Sequence, residues 1–400
     1  MNTKIRLTLM NFLQYAVWGA WLISLGAYLG NTLKFDGLQI GSFFATMGIA
    51  SLFMPAVMGI IADRWIPAQR LLGLCHLFAA GFITLAATRT DYNSLYTLVL
   101  LSVMFYMPTI ALSNSVAYNA LEKAGLDTVT HFPPIRVWGT VGFICAMWVV
   151  DLGKMGLSAT QLYFSATLGL ILGLYSFTLP NCPINRSGGG KSIVDLLGLR
   201  AFAIFFIFSM LLGMSLQITN AFADGYIKSF GDTGIHGAKY LGTFGVEHST
   251  ILISLSQISE TLCILLIPFF LKRFGIKRVM LIAMFAWVLR FALLGAGNPG
   301  PGVWMFILSM IVYGVAFDFF NISGSLFVEK ETSAAIRSSA QGVFMIMTNG
   351  LGALIGSYLA GWVVNHYGWP LSWYLFAGFS LVVAIVFAVI FKYKHDPNRI

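Results

Sequence analysis

Charge is scarce in this chain. Asp, Glu, Lys and Arg make up 10% of its 400 residues and hydrophobic residues 58%, whereas a soluble domain is about half apolar and about a quarter charged. That balance excludes an ordinary water-soluble globular protein. Cysteine is sparse as well: Cys75, Cys145, Cys182 and Cys263 stand at no paired spacing, so neither a disulfide framework nor a thiolate metal site is expected. All four are read as packing residues. The six histidines show no metal-ligand spacing, and no G-x-G-x-x-G, H-E-x-x-H or nucleophile elbow occurs. Gly190-Lys191-Ser192 matches only the end of a phosphate loop, with Asn185 where the first glycine belongs. These absences argue against an enzyme and an ATP-driven pump, and no metal or cofactor is expected. An ion gradient or simple facilitation remains as the source of energy.

Long apolar runs are abundant. A spanning helix needs about 20 mostly apolar residues, and twelve windows meet that test, near 8–30, 38–62, 69–88, 94–118, 134–153, 158–180, 201–226, 246–270, 276–296, 302–328, 338–364 and 370–392. The expected fold class is therefore an all-α polytopic membrane protein. With both termini in the cytoplasm, seventeen of the 24 Lys and Arg residues fall on the cytoplasmic side, five fall outside, and Arg136 and Arg290 lie within spans. Positive residues retained inside fix that orientation, so the net charge of +9 is a topology signal and not a nucleic-acid footprint. The basic, then apolar N-terminus MNTKIRLTLMNFLQYAVWGAW lacks a small-residue cleavage site and reads as a retained first span.

The chain also repeats itself. Gly59-Ile-Ile-Ala-Asp63-Arg64 runs into a basic turn between spans 2 and 3, and Pro268-Phe-Phe-Leu-Lys272-Arg273 into another between spans 8 and 9. Arg64 and Arg273 are 209 residues apart, and Tyr106 and Tyr313, in spans 4 and 10, are 207 apart. Two six-helix bundles, 1–180 and 201–400, joined by a basic cytoplasmic link over 181–200, give the organisation of a transporter built from parallel repeats. The first loop resembles the major facilitator motif G-x-x-x-D-R-x-x-R-R in degenerate form. Trp65 replaces the glycine-bearing turn, and the second copy has Lys272 where the acid belongs. Asp63, Arg64 and Arg273 are read as gating apparatus.

Ionisable residues inside spans are expensive and usually face a cavity or one another. In span 5, Arg136, Thr140 and Phe143 follow i, i+4, i+7 and share one helical face; the alternative is an arginine snorkelling from a helix end. In span 7, Gln217 and Asn220 either bond a neighbouring helix or grip a ligand with both donors and acceptors. In span 8, Gln257 and Glu260 lie at i, i+3 beside Ser256 and Ser259. Glu260, near mid-span, is either a proton or substrate group or a static partner of Arg136 or Arg290. In span 10, Tyr313 and Phe317 lie at i, i+4, with Asp318 adjacent and Asn321 one turn on. Aromatics at that spacing are usually core; Asp318 either relays a proton or pins its helix to a partner.

Taken together, FLQYAVWGAWLISLGAYL, YMPTIALSNSV, FPPIRVWGTVGFICAMWVV, LQITN, SQISETLCILLIPFFLKRFGIK, MIVYGVAFDFFNISGSLFVEKE and KYKHDPNRI resemble the nucleoside:proton symporter family of the major facilitator superfamily, the bacterial nucleoside permeases, over nearly the whole chain. The resemblance implies proton-driven nucleoside uptake by alternating access across the bacterial cytoplasmic membrane, as a monomer and without cofactors. It implies a nucleoside site of Arg136, Thr140, Phe143, Gln217, Asn220, Gln257, Glu260, Tyr313 and Phe317, with Glu260 and Asp318 as proton-coupling candidates. The chain departs from the family's pattern around LLGLRAFAIFF, where the link into span 7 is shorter, and before span 12. Rival readings are a carrier of sugars or other neutral polar solutes, and a nutrient sensor on a transporter scaffold; no signalling domain is appended beyond Ile400, which argues against the sensor.

Overall fold

The computed structural model describes residues 3–182, 200–233, 238–331 and 337–393, except for the side chains of residues 63, 128–130, 200, 201, 329 and 337–339. Most of the link, with its three adjacent glycines and Gly190-Lys191-Ser192, lies outside the described residues, as does the tail beyond Tyr393.

Among the described residues there are twelve helical spans. They are α1 (Thr3–Gly19), α2 (Gly37–Arg64), α3 (Ala68–Ala86), α4 (Tyr92–Lys123), α5 (Thr128–Leu152), α6 (Thr160–Ser176), α7 (Arg200–Ser229), α8 and α9 within Ser249–Ala296, α10 (Val303–Glu331), α11 (Arg337–Met345, Ile346–Gly352 and Ala353–Tyr367) and α12 (Leu371–Ile390). Nine helices among the described residues are long and apolar enough to cross a membrane. One of the nine is Ser249–Ala296, 48 residues or about 72 Å at the α-helical rise, more than twice the hydrocarbon thickness. Gly275 divides it, with φ 76° and ψ 166°, a backbone open mainly to glycine; α8 ends before it and α9 begins after it. Thr3–Gly19 and Thr160–Ser176, 17 residues each, complete the twelve.

The sequence windows and helices differ at informative places. The first window, 8–30, is broken: α1 ends at Gly19, and after a turn a short helix, Leu25–Ala27, runs into a π-helical turn at Tyr28–Thr32. The fifth begins earlier than its proline pair suggests. α5 starts at Thr128 and carries Pro133 and Pro134 inside it, although each proline removes an N–H bond and crowds the preceding turn. Of the cysteines read as packing residues, Cys75, Cys182 and Cys263 are buried, whereas Cys145 is exposed.

The chain divides into two compact units, Met1–Phe35 with Thr46–Gly188 and Asp36–Ala45 with Gly189–Ile400. In unit 1, Leu7, Met10 and Leu13 of α1 pack with Leu72 and Cys75 of α3 and Val116 of α4. Lipid gives helices no hydrophobic drive to associate, so close backbone approach matters. A Cβ at Gly142 of α5 would collide with the Phe12 carbonyl oxygen, and one at Gly19 with that of Phe143. These glycines let α1 and α5 touch along their backbones. Unit 2 is held by aromatic packing: Phe205 lies 4.7 Å from Phe327 and 5.4 Å from Phe344, while Phe291 stacks on Trp373 at 6.0 Å.

Candidate functional site

In unit 1, α5 presents Arg136, Thr140 and Phe143 on one face. Gly139, one turn from Phe143 and beside Arg136, leaves room for the Tyr15 ring, and the Arg136 guanidinium lies over that ring at 3.9 Å. Such a cation over an aromatic face is stabilised by the ring quadrupole. Phe143 is buried and meets the Trp18 ring edge-on at 6.4 Å; Trp18 in turn lies 5.8 Å from Tyr106.

Behind these rings is a polar network the sequence did not reveal. The Gln14 amide donates to Thr109 Oγ1 at 2.7 Å, and its Oε1 lies 2.8 Å from His76 Nε2. The Tyr106 hydroxyl donates to the Gln14 carbonyl at 2.7 Å. With the Gln14 oxygen accepting, His76 carries its proton on Nε2. Asn11 and Gln14, at i, i+3 in an apolar first span, were the available signal.

In unit 2, α10 carries Tyr313 and Phe317 with rings stacked 5.7 Å apart and 10° from parallel. Tyr313 is hydrogen-bonded to the Gln257 side chain of α8, and the Glu260 carboxyl is close enough to act electrostatically on both Tyr313 and Asp318. The structure thus brings together Gln257, Glu260, Tyr313, Phe317 and Asp318 from two helices. Asp318 is 3% exposed, and its Oδ2 has no hydrogen-bond partner among the described residues. Arg290, within α9 and 2% exposed, donates from Nη1 to the Ser309 carbonyl at 2.7 Å and lies 4.7 Å over the Tyr313 ring. On α7, Gln217 is buried with Oε1 unpartnered among the described residues, and Asn220 is half-buried.

Unit 2 also contains a small pocket walled by Leu212, Leu216, Trp287, Phe317 and Phe320 and edged by Asn321, Thr348 and Asn349. Phe317 belongs to both the stacked pair and this pocket. Trp287 and the Thr348-Asn349 pair were not singled out in the sequence, although two adjacent polar residues in the apolar MIMTNGLG run were a usable sign. Asp224 was missed too. It is 1% exposed, pairs with Lys228 at 2.6 Å, and accepts from Ser249 and Thr250. Of the expected gating residues, Arg64 ends α2 and is exposed, Arg273 has its guanidinium 5.7 Å from the Phe274 ring, and the Asp63 side chain lies outside the described residues.

With this geometry in place, comparison with known proteins is direct. The family described as Nucleoside H+ symporter matches residues 1–396. Nucleoside permease NupG of Escherichia coli (strain K12) is 50% identical over 99% of this chain and 97% of its own. The xanthosine permease of the same organism is 49% identical over 100% of this chain and 98% of its own. A crystal structure of the nucleoside transporter NupG superposes with a TM-score of 0.89 at 49% identity, covering 98% of this chain and all of that one.

Proposed function

The chain belongs to the nucleoside H+ symporter family and has the major facilitator fold, and from that premise we propose that it takes up nucleosides together with protons across the bacterial cytoplasmic membrane. It is a transporter and not an enzyme. In this reading it works as a monomer with both termini cytoplasmic. The halves 1–180 and 201–400 act as the moving bodies of alternating access, with 181–200 as the cytoplasmic link.

The observation that carries the reading is the unit 2 cluster, an aromatic stack flanked by an amide and two acids in the middle of a membrane span. A nucleoside presents a flat heteroaromatic base and a ribose with several hydroxyls. Phe317, backed by the Tyr313 ring stacked on it, offers the base an aromatic face; Gln217, Asn220, Gln257 and Glu260 offer the hydroxyls donors and acceptors. In unit 1, Arg136, Thr140 and Phe143 are the proposed substrate contacts. A neutral nucleoside such as uridine brings no charge for Arg136 to balance, and the seat of Arg136 on Tyr15 leaves N–H groups for it.

Glu260 and Asp318 are the proposed proton carriers. They act electrostatically on one another, so a proton arriving at one is felt by the other, and Glu260 also reaches Tyr313, which backs the aromatic face offered to the base. Protonation is thereby coupled to nucleoside affinity. Coupling requires that proton and nucleoside each bind the outward and inward states with different affinity.

Uptake of labelled uridine and labelled xanthosine into proteoliposomes, with and without an inward proton gradient, tests the proposal. Gradient-dependent accumulation of either is expected. Equilibration without accumulation refutes the proton role, and uptake of neither, with sugars competing for the bound ligand instead, refutes the nucleoside reading.

A further inference from the structure

The pocket inside unit 2 has a chemical character of its own. Its walls are apolar and largely flat, from Trp287, Phe317 and Phe320, and its polar groups are few: the Asn321 and Asn349 carboxamides and Thr348. Apolar walls with a few placed polar groups are the lining that small-molecule sites use.

Two local features build it. Tyr313, Phe317 and Asn321 follow one another at four-residue spacing on α10, so Asn321 sits one turn beyond the stacked rings and about 12 Å along the axis from Tyr313. Across the pocket, α11 widens to a π-helix over Ile346–Gly352, a departure frequent at functional sites, and Gly213 of α7 packs against the Thr348 backbone there. The Thr348 hydroxyl is satisfied by the Phe344 carbonyl at 2.9 Å. Asn349 makes only a 3.7 Å contact from its Nδ2 to Met345 Sδ, which leaves its oxygen and second N–H for a ligand. Asn321 makes no hydrogen bond among the described residues.

Resting on the nucleoside reading above, we infer that this pocket receives the base and that Asn321 and Asn349 are specificity-determining residues that read its hydrogen-bonding edge. The division of labour follows from chemistry. A ribose has too many hydroxyls for a pocket with so few free polar groups, whereas a base needs flat apolar walls and one or two edge partners. The ribose then falls to the amides and acid near Tyr313, one to two turns away along α10. A site built to bond a particular N–H or C=O disfavours an analogue lacking it, here because the half-buried Asn321 and Asn349 would lose their partner on the base.

The test uses the full-length protein in proteoliposomes and competition against labelled uridine. Uridine is compared with 3-methyluridine, whose N3 donor is blocked, and with 2′-deoxyuridine, altered only on the ribose. The parent is expected to favour uridine over 3-methyluridine by about tenfold or more. In Asn321→Leu or Asn349→Leu that preference falls at least about fivefold, while the preference over 2′-deoxyuridine stays within about twofold. The Asn321→Ala and Asn349→Ala variants likewise remove the acceptor and donors of the carboxamide and serve where leucine prevents folding. The inference is overturned if the parent accepts 3-methyluridine as well as uridine. It is equally overturned if transporting variants keep the parent's base preference, or if the ribose preference is the one that moves. A parent that carries no nucleoside refutes the transport reading itself, which separates the two failures.

Discussion

Asp224 offers the sharpest quantitative test of how unit 2 is held together. Its carboxylate is 1% exposed and accepts from the Lys228 ammonium at 2.6 Å, from Ser249 at 2.5 Å and from Thr250 at 3.2 Å. Ser249 and Thr250 open α8, so the acid also sits at a helix N-terminus, where negative charge is favoured. Asp224→Leu removes all of this and strands a Lys228 side chain that is 11% exposed, its remaining contact a 3.5 Å bond to Thr250. Breaking a buried pair on one side costs about 3–5 kcal/mol, whereas replacing both partners by apolar residues is close to neutral. At about 1.4 kcal/mol per tenfold, Asp224→Leu shifts the unfolding equilibrium by roughly two to four powers of ten. Adding Lys228→Met restores most of the loss. Unfolding in mixed micelles, followed by the fluorescence of the chain's ten tryptophans, measures both variants. A double variant as unstable as the single one, or a single variant losing less than about 1 kcal/mol, refutes the account.

Other outcomes follow from the same geometry. Glu260→Gln is expected to exchange nucleoside across the membrane but to lose accumulation driven by a proton gradient; accumulation equal to the parent's removes Glu260 as a coupling acid. Arg136→Ala, and Arg136→Lys to a lesser degree, weakens nucleoside binding by about three- to tenfold, the worth of one or two hydrogen bonds, and unchanged affinity in a titration returns Arg136 to a helix-end role. Gly142→Val drives a side chain into the Phe12 backbone and destabilises the α1–α5 contact by about 1–3 kcal/mol, read as a lower melting temperature in detergent. Asp91, at the start of α4, accepts from the Ser94 N–H at 2.9 Å, and this bonding to Ser94 holds its carboxyl below the ordinary value. Its capping contribution is therefore complete above the unfolded carboxylate value and fades only as pH falls through the lower folded one, so amide exchange at Ser94 normalised for pH should stay protected at pH 5 and increase in Asp91→Ala.

Span number was legible because it rests on run length and charge, and both survive folding unchanged. The stacked Tyr313–Phe317 pair beside Gln257 was legible for a related reason: i, i+3 and i, i+4 spacing fixes which residues of one helix share a face. What one helix meets on another was not legible. Nothing in the sequence says that Tyr15 seats Arg136, that Gln14 joins His76 to Thr109, or that Asp224 is bonded to the first turn of α8. Those contacts depend on interhelical register, which is set by close approaches such as Gly142 on Phe12. The π-helical widening of α11 was hidden as well, since a change from α to π hydrogen bonding leaves composition untouched.

The two halves are legible as copies by their 207- and 209-residue offsets, yet their polar chemistry has diverged. Tyr106 of α4 commits its hydroxyl to the Gln14 carbonyl and its ring to Trp18 and His76. Tyr313, its counterpart on α10, lies beneath Arg290, stacks on Phe317 and bonds Gln257. The acids follow the same division. Within the spans of unit 1 they occur only near helix ends, at Asp63, Glu122 and Asp151, whereas α8 and α10 of unit 2 carry Glu260 and Asp318 in their interiors and Asp224 lies in the last two turns of α7. A proton taken up in mid-membrane thus has acidic acceptors in the second half, while the first half offers an amide, an imidazole, hydroxyls and a guanidinium seated on tyrosine. Substitutions at Gln14, His76 or Arg136 should accordingly change nucleoside affinity and leave the number of protons carried per nucleoside unchanged. Those at Glu260 or Asp318 should change that number, so measuring stoichiometry from the reversal of uptake at imposed proton gradients separates the two halves; a change of stoichiometry in a unit 1 variant would defeat the argument.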